Sequence, residues 1–450
     1  MTHFQRLLCL GLSLAFALPH AAPALERQPA SVYHARREAL ASRLKGGVAI
    51  LFAGEQPLVD FMPYRQDEDF YYLTGWNEPG AALLVQGAAA AEGERPARPY
   101  REVLLLPTRN LRFERFTGVK LDAATPGAAA TAGVDEVQPM LELPAILNKI
   151  VSTDRSVARA LWSETDSTEA KSALSWTAAT LGTTEFPAIN DVRALTAQLR
   201  AVKDPGEIEL IRKATNASIV AQRAMMQAIH PGASERAVAG LLINKMMQEG
   251  CERPSYSPII GSGVNSTVLH YSDNSGTMQS GDVVVVDAAG EYSMYASDIT
   301  RTMPVNGHFT ARQREIYDIV LGAQRAAMAA FVAGKSKIND PMHRLPEALD
   351  TAAYDYMNAH GKDLHGKPLG QYFIHGLGHL VGINVHDPYD YSKPLEKGMV
   401  FTIEPGVYIP EEHIGVRIED IVYVDNDGKL VNLTEQLPHT ADDVEAAMKK

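Results

Sequence analysis

Apolar runs that end in a carboxylate recur in the second half of the chain. Four consecutive Val residues, 283–286, lead directly to Asp287, which predicts a strand buried on both faces with an acidic residue at its end. Eleven residues later, Asp298 lies in the alternating run 297–300. The two segments are expected to pair as a hairpin with both carboxylates near one end. Because a buried carboxylate is costly, the pair indicates a bound cation rather than a solvated turn.

Two later segments repeat this pattern. The apolar run 400–403 leads to Glu404, which stands immediately before a Pro-Gly turn. In segment 414–424, IGVRIEDIVYV, alternation with a period of two puts Arg417 and Glu419 on the same face of one strand. From this strand alone, an ion pair between these two side chains and metal ligation by Glu419 are both open interpretations.

Helical periodicity fills the space between these strands. Asp204, Pro205 and Glu207 form a helix start, with an N-cap, a Pro at the first helical position and an acidic third position. Apolar positions continue from there to about residue 230. Further helices are predicted over 234–250, 310–334 and 342–360. The second half is therefore predicted to contain both α and β structure.

The first half alternates shorter strand-like and helix-like stretches, which is typical of a small α/β domain. Strands are predicted at 48–52, 81–85, 103–106 and 157–161, and helices around Leu141 and Ala170. Two tracts rich in Ala, Gly and Pro, 87–99 and 123–133, are predicted to be surface loops. The acidic run 67–69 is interpreted as a solvated turn. We place the first domain at 25–193 and the second at 194–450.

The first 24 residues have the pattern of an export signal. Arg6 precedes an apolar stretch, 7–18, and small residues follow at 22–24. The protein is therefore expected to be periplasmic or secreted, with no membrane span after the signal is removed, because no later apolar run is long enough. Removal would also take away Cys9 and leave Cys251 as the only cysteine, so no intrachain disulfide is expected.

Net charge narrows the range of partners. The formal charge is −12 for the whole chain and becomes −13 when residues 1–24, with one Arg and no acidic group, are removed. An acidic balance argues against nucleic acid and anionic membranes as partners. With 46% apolar residues in 450, the composition is that of an ordinary globular protein of two or three domains.

A Gly-rich segment, FIHGLGHLVGINVHD at 373–387, carries three histidines: His375, His379 and His386. The spacing of four between the first two resembles a helical metal pair, but the intervening glycines argue against a helix. One or two of these imidazoles are expected to bind metal, and the others to meet substrate. A purely structural role for the three histidines is the alternative.

Five residues together form a candidate metal centre: Asp287, Asp298, His379, Glu404 and Glu419. Four carboxylates and one imidazole carry too much negative charge for one ion and suit two. Oxygen-rich ligation favours Mn²⁺, with Co²⁺ or Zn²⁺ as substitutes. Two such ions can share a water, lower its pKa and stabilise the oxyanion formed when it attacks a carbonyl. No GxSxG motif or catalytic-cysteine context suggests a covalent route instead.

Four motifs, taken in this order, resemble the pita-bread metallopeptidases, which include methionine aminopeptidases, prolidases and Xaa-Pro aminopeptidases. They are VVVVDAAGEYSMYASDITRTMPVNGHFT, HGLGHLVGINVHD, FTIEPGVYI and GVRIEDIV. The earlier stretch YRQDEDFYYLTGWNEPGAALLV is similar to the N-terminal domain of bacterial Xaa-Pro aminopeptidases, so the resemblance covers nearly the whole chain. It implies an α/β N-terminal domain followed by an α+β pita-bread (creatinase/aminopeptidase-like) catalytic domain.

The resemblance also implies roles for individual residues. Asp287 and Asp298 would bind the first metal, His379 and Glu404 the second together with Asp298, and Glu419 both. His270, His375 and His386 would contact the substrate, Glu404 would also carry a proton to the leaving nitrogen, and Arg417 and Tyr408 would support the site. Two departures from the family pattern bear on the preferred substrate length: Phe116 stands where relatives have a Trp that reaches a neighbouring subunit, and the segment between Tyr408 and Gly415 is short.

The implied function is release of the N-terminal residue from peptides with Pro in the second position, by attack of a metal-bridging hydroxide on the scissile carbonyl. A homo-oligomer, dimer or tetramer, is expected. The alternatives are an Xaa-Pro dipeptidase (prolidase) and a metal-free binding protein on the same fold. The five ligand-type residues disfavour the second alternative. Segment 64–85 resembles the aminopeptidase branch, which disfavours the first.

Overall fold

The computed structural model describes residues 25–56, 62–91, 97–166 and 189–449, with positions 168, 171, 172, 175, 178 and 179. The predicted signal, 1–24, and Ala170, the centre of a predicted helix, lie outside these residues. Across the described ranges, no helix combines the length and apolar character that crossing a membrane requires.

The first domain is built on a six-stranded mixed sheet in the order β4-β3-β2-β1-β5-β6. Strands β1, β2 and β3 pair antiparallel, and the outer strands join them in parallel. The elements are α1 (Ala30–Arg43), β1 (Val48–Phe52), α2 (Glu68–Thr74), β2 (Ala82–Gln86), β3 (Arg101–Leu106), α3 (Glu114–Thr117), α4 (Ala128–Ala132), β4 (Val137–Pro139), α5 (Leu143–Thr153), β5 (Leu161–Ser163) and β6 (Asn190–Asp191).

The second half of the chain carries four small sheets and most of the long helices. The sheets are β12-β9-β8, β11-β10-β7, β13-β16-β17 and β14-β15. The helices are α6 (Arg193–Arg200), α7 (Pro205–Ala228), α8 (Glu235–Gln248), α9 (Ala311–Ala330), α10 (Leu349–His360) and α11 (Ala441–Met448). The strands are β7 (Arg253–Pro254), β8 (Ile259–Ser262), β9 (Val283–Asp287), β10 (Gly290–Tyr292), β11 (Tyr295–Ala296), β12 (Thr300–Pro304), β13 (Val400–Ile403), β14 (Gly406–Ile409), β15 (Ile414–Arg417), β16 (Asp420–Val424) and β17 (Leu430–Asn432).

The predicted hairpin is present. Strands β9 and β12 pair antiparallel with Asp287 opposite Thr300, and all five residues of β9 are buried. The predicted start of α7 is also confirmed, because the Asp204 and Glu207 side chains each accept a hydrogen bond from the other's backbone N–H. Helix α7 packs against α8, and α9 packs against α10.

Five local predictions were wrong, and four of them concern the positions of helices and strands. Residues 155–160 form a 3-10 helix, so β5 begins only at Leu161. The tract 123–133 contains the short helix α4. Segment 414–424 forms two strands in different sheets, because residues 418 and 419 between β15 and β16 belong to neither strand. The helix predicted from residue 342 begins at Leu349, since Asp340 binds the backbone N–H groups of Arg344 and Leu345 and a Pro follows.

The acidic run 67–69 is not a solvated turn. The Asp67 side chain caps α2 by accepting a hydrogen bond from the backbone N–H of Phe70 at 2.7 Å. Asp69 is buried and pairs with Arg200. The predicted loop 87–99 carries a single isolated bridge, between Ala89 and Arg98, in its described part.

Candidate metal centre

Strand ends bring the four predicted carboxylate ligands together. Asp287 is the last residue of β9, and Asp298 lies two residues before β12. Glu404 follows the last residue of β13, and Glu419 stands in the break between β15 and β16. Thr300 faces Asp287 across the hairpin and also forms an isolated bridge with Glu419, so backbone pairing places these acidic segments side by side.

His379 completes the cluster from an irregular segment. Its Nε2 lies 3.4 Å from Asp298 Oδ2 and 3.4 Å from Glu404 Oε1. Ligand atoms of Asp298, His379 and Glu419 all lie within 4.8 Å of one another. All five predicted ligands line one cavity of about 510 Å³. The prediction that the glycines prevent a helix between His375 and His379 agrees with the structure, which has no helix there.

Burial and mutual repulsion raise the pKa values of three carboxylates in this cluster. Burial raises the pKa of Asp287, although Arg417 opposes the change. Burial and the Asp298 charge raise the pKa of Glu404 to about 7. The pKa of Glu419 lies well above its usual value because of burial and the neighbouring carboxylates. Without a cation, protons would have to compensate for these charges.

The histidine responds in the opposite direction. Burial alone would lower the pKa of His379, but its hydrogen bond with Asp298 and the charge of Glu404 raise it to about 9. In the absence of metal, the cluster therefore favours the protonated forms of both its histidine and its carboxylates. Its chemistry, four carboxylates and one imidazole that are buried or only partly exposed, fits hard divalent ions.

Several supporting side chains lacked a sequence signal or had only a weak one. The Tyr256 hydroxyl lies 2.5 Å from Asp287 Oδ1 and 2.6 Å from Asp298 Oδ1. Asn339 holds the histidine segment, since it accepts from the Leu377 N–H at 2.7 Å and donates to the Gly378 carbonyl at 2.8 Å. Both residues are far from the metal motifs in sequence, so nothing local pointed to them.

Two threonines that support the site could have been predicted from their spacing in the sequence. Thr300 Oγ1 donates to Glu419 Oε2 at 2.7 Å. Thr402 Oγ1 donates to Glu404 Oε1 at 3.1 Å and accepts from the His379 N–H at 3.2 Å. Each threonine stands two residues from an acidic ligand, the spacing at which strand side chains share a face.

Arg417 and Tyr408 connect the metal cluster to His375. Arg417 Nη2 donates to Asp287 Oδ2 at 2.7 Å, and its Nη1 donates to Tyr408 Oη at 2.9 Å. Tyr408 Oη lies 2.8 Å from His375 Nε2. The ion pair left open between Arg417 and Glu419 is therefore replaced by one between Arg417 and Asp287. Burial and the Arg417 charge lower the pKa of His375 to about 4, so this imidazole is neutral.

The remaining two predicted residues, His270 and His386, line the same cavity and are exposed. The His386 ring meets the His379 ring edge-on, with centroids 4.2 Å apart. Burial and the nearby His379 charge lower the pKa of His386. The structure thus brings all ten predicted site residues into one cavity or its immediate wall.

Comparison with known proteins identifies the family. Residues 209–426 match the description "Metallopeptidase family M24", and residues 33–158 match "Aminopeptidase P, N-terminal domain". The Xaa-Pro aminopeptidase of Haemophilus influenzae is 32% identical over 404 residues, 86% of this chain and 89% of the relative. The Xaa-Pro aminopeptidase of Escherichia coli is 32% identical over 442 residues, 92% and 97%. The chain belongs to metallopeptidase family M24.

Solved structures agree with this assignment to family M24. The structure of proline aminopeptidase P II from Yersinia pestis is 30% identical, with a TM-score of 0.80 over 94% of this chain and 99% of that one. Zinc-substituted E. coli aminopeptidase P in complex with product is 29% identical, with a TM-score of 0.81 over the same shares. The predicted fold class is confirmed, and so is the prediction of a metallo-aminopeptidase that uses divalent metal ions.

Proposed function

We propose that this M24 peptidase releases the N-terminal residue from peptides with Pro in the second position. The observation that carries the proposal is the cluster of Asp287, Asp298, His379, Glu404 and Glu419 in one cavity of a chain that matches Xaa-Pro aminopeptidases over nearly its whole length. The bond before Pro is a tertiary amide. A dedicated hydrolase is needed because ordinary aminopeptidases handle that bond poorly.

We propose two divalent ions, with Mn²⁺ favoured by the oxygen-rich ligand set and Co²⁺ or Zn²⁺ as substitutes. Asp287 and Asp298 would hold one ion, His379, Glu404 and Asp298 the other, and Glu419 both. When bound, such a pair supplies an activated water and stabilises negative charge on the carbonyl oxygen. The zinc-substituted structure of the E. coli relative supports exchange among these metals.

The protein's own groups have distinct tasks in this proposal. Glu404 would take up a proton at its carboxylate and deliver it to the leaving nitrogen. The exposed imidazoles of His270 and His386 face the cavity and contact the peptide. His375, held by Tyr408, contributes a neutral imidazole beside them. Arg417 favours the ionised form of Asp287 through an ion pair at 2.7 Å.

The choice between aminopeptidase and dipeptidase depends on a free cation. A dipeptidase must bind the carboxylate that directly follows Pro. Among the described residues that line the cavity, Arg417 is the single Arg or Lys, and it is already bonded to Asp287, Tyr408 and Thr300. With no cation free for the substrate carboxylate, the site favours tripeptides and longer peptides.

The test compares kcat/KM for an Xaa-Pro-Xaa tripeptide and an Xaa-Pro dipeptide with the same first residue. We expect the tripeptide to be the better substrate. A preference of about tenfold or more for the dipeptide, about 1.4 kcal/mol in transition-state binding, would instead assign a prolidase.

We also propose export, on the pattern of residues 1–24. Protein from the periplasm or medium should lack Met1, whereas recovery of an intact N-terminus from the cytosol would contradict export.

A homo-oligomer, dimer or tetramer, is proposed because large apolar side chains are exposed on one segment of the first domain, including Phe116 at 82%. The native mass in solution tests this. Peptides are the expected partners, not nucleic acid or membranes.

A further inference from the structure

The segment that carries His386 is fixed on one side by a buried aspartate. The Asp387 carboxylate accepts hydrogen bonds from Arg200 Nη2 at 2.6 Å and from Lys203 Nζ at 3.0 Å. Its backbone N–H donates to the Leu380 carbonyl at 2.9 Å. All three ion-pair partners are at least 95% buried. The residue next to His386 is therefore held by charges that solvent cannot replace.

Arg200 extends this contact into the first domain. Its Nη1 donates to Asp69 Oδ1 at 2.7 Å, and Thr196 Oγ1 donates to the other oxygen of Asp69 at 2.6 Å. Asp69 lies in α2, on the sequence run that local pattern alone suggested was a solvated turn. One guanidinium thus joins a helix of the first domain to the residue that follows His386.

A second contact reaches the same segment from the other side. Glu68 Oε1 accepts from Asn384 Nδ2 at 3.1 Å, and Asn384 Oδ1 accepts from the His386 backbone N–H at 3.0 Å. Arg65 donates to Glu68 Oε1 and to the Ile383 carbonyl, both at 2.7 Å. Residues 383, 384 and 387 are thereby all bound directly to the first domain or to its ion-pair partner, Arg200.

The His386 ring, by contrast, makes no hydrogen bond with any residue that the structure describes. Its one ring contact is with His379, at 4.2 Å between centroids. An imidazole without a polar side-chain partner takes its position from the backbone that carries it. Here the first domain holds that backbone.

We propose that the first domain positions His386 for catalysis, with Arg65, Glu68, Asp69 and Arg200 as positioning residues that act through segment 383–387. This inference rests on the proposed function, in which His386 contacts the substrate. In this proposal the first domain supports catalysis by holding the segment that carries His386. That role is separate from any role in oligomer assembly or in the choice of substrate length.

The test is a double-mutant cycle between Arg200→Met and His386→Ala in the full-length, metal-loaded protein. After Arg200→Met, Asp387 keeps Lys203 and Asp69 keeps Thr196, so each buried carboxylate retains a partner. We expect Arg200→Met alone to lower kcat/KM about tenfold or more, mainly through kcat. In the His386→Ala background the same change should cost less than about threefold. Equal losses in both backgrounds would overturn the proposal.

Arg36→Met is the matched control. Arg36 is similarly buried and also joins the domains, through Asp204 and Glu207, but it does not contact segment 383–387. Its loss should leave kcat/KM within about threefold of wild type. A loss as large as that of Arg200→Met would show that any weakened domain contact suffices, and the proposal would fail. If Arg200→Met does not fold, Glu68→Ala, which removes the contact with Asn384, takes its place.

Amide hydrogen exchange supplies a readout that needs no activity. Exchange in residues 380–388, followed by mass spectrometry, should be faster in Arg200→Met than in wild type and unchanged in Arg36→Met. Unchanged exchange in Arg200→Met would overturn the proposal. If the wild-type protein cleaved no Xaa-Pro peptide, the proposed function would fail, while the exchange comparison would still decide whether the first domain holds this segment.

Discussion

Removal of metal should make the stability of this protein fall as pH rises between about 7 and 9. The reason is His379, whose Nε2 lies 3.4 Å from both Asp298 and Glu404. In the metal-free folded protein these carboxylates raise the pKa of His379 from 6.5 to about 9. A pKa raised by folding stabilises the native state fully below the unfolded value, and the benefit is lost as pH rises through the folded value.

The pKa difference sets the size of this effect. Each pH unit between 6.5 and about 9 corresponds to about 1.4 kcal/mol, so the complete loss is about 3 kcal/mol. The pKa of Glu164 is raised to about 8 and that of Glu404 to about 7, so these carboxyls also titrate in or near this window, in wild type and variant alike. The pKa of His375 is lowered to about 4, outside the window. The raised pKa of Glu419 acts in the same direction as that of His379, which is why a variant must isolate the histidine.

The assay is urea unfolding of the chelated protein at about pH 7 and about pH 9, for wild type and His379→Gln. Of the complete loss, about 2 kcal/mol falls between pH 7 and pH 9, so the wild type should lose about 2 kcal/mol more than the variant between the two conditions. In the metal-loaded wild type this contribution should disappear, because a ligating imidazole must be neutral at both pH values. The same pH dependence in chelated wild type and variant would refute the reasoning.

Three further substitutions probe the cluster. Glu419→Ala should release a metal ion and lower activity by about 100-fold or more, measured by metal analysis with Mn²⁺ add-back; full activity would contradict a shared ligand. Tyr256→Phe removes the hydroxyl that contacts Asp287 and Asp298, so metal affinity should fall by about 10- to 100-fold in a metal titration. Arg417→Met should destabilise the chelated protein by about 3–5 kcal/mol in urea unfolding, and the loaded protein by less, since a bound cation still compensates Asp287.

Periodicity predicted the fold best where burial was continuous. The four Val residues before Asp287 are a strand because no helix-forming or turn-forming residue interrupts them. The stretch 157–161, VARAL, is interrupted by a charged residue, Arg159, and residues 157–160 belong to a 3-10 helix. At residue 342, the prediction overlooked how strongly Asp340 competes for backbone N–H groups ahead of a Pro.

Four of the five candidate ligands were predictable because each is a carboxylate at or beside the end of a buried strand, a position that is unfavourable unless a cation compensates it. His379 lies on an irregular segment and was predicted from the histidine-rich motif instead. The ion-pair partner of Arg417 was not predictable in the same way. An ion pair between Arg417 and Glu419 was left open because segment 414–424 was treated as one strand. In the structure β15 ends at Arg417, and the Arg417 side chain pairs with Asp287. Tyr256 reaches the cluster from a distant segment, so no local pattern includes it.

The charge balance of the cluster favours two metal ions over one. Asp287, Asp298, Glu404 and Glu419 contribute four negative charges when ionised, and Arg417, which bonds to Asp287, contributes one positive charge. One divalent ion would leave an excess negative charge in a buried site, which is costly. Two would leave one excess positive charge, which balances the hydroxide of the proposed reaction. The raised pKa values of Glu404, Glu419 and His379 have the same cause. In the metal-free protein, bound protons compensate the negative charge that metal ions would otherwise neutralise.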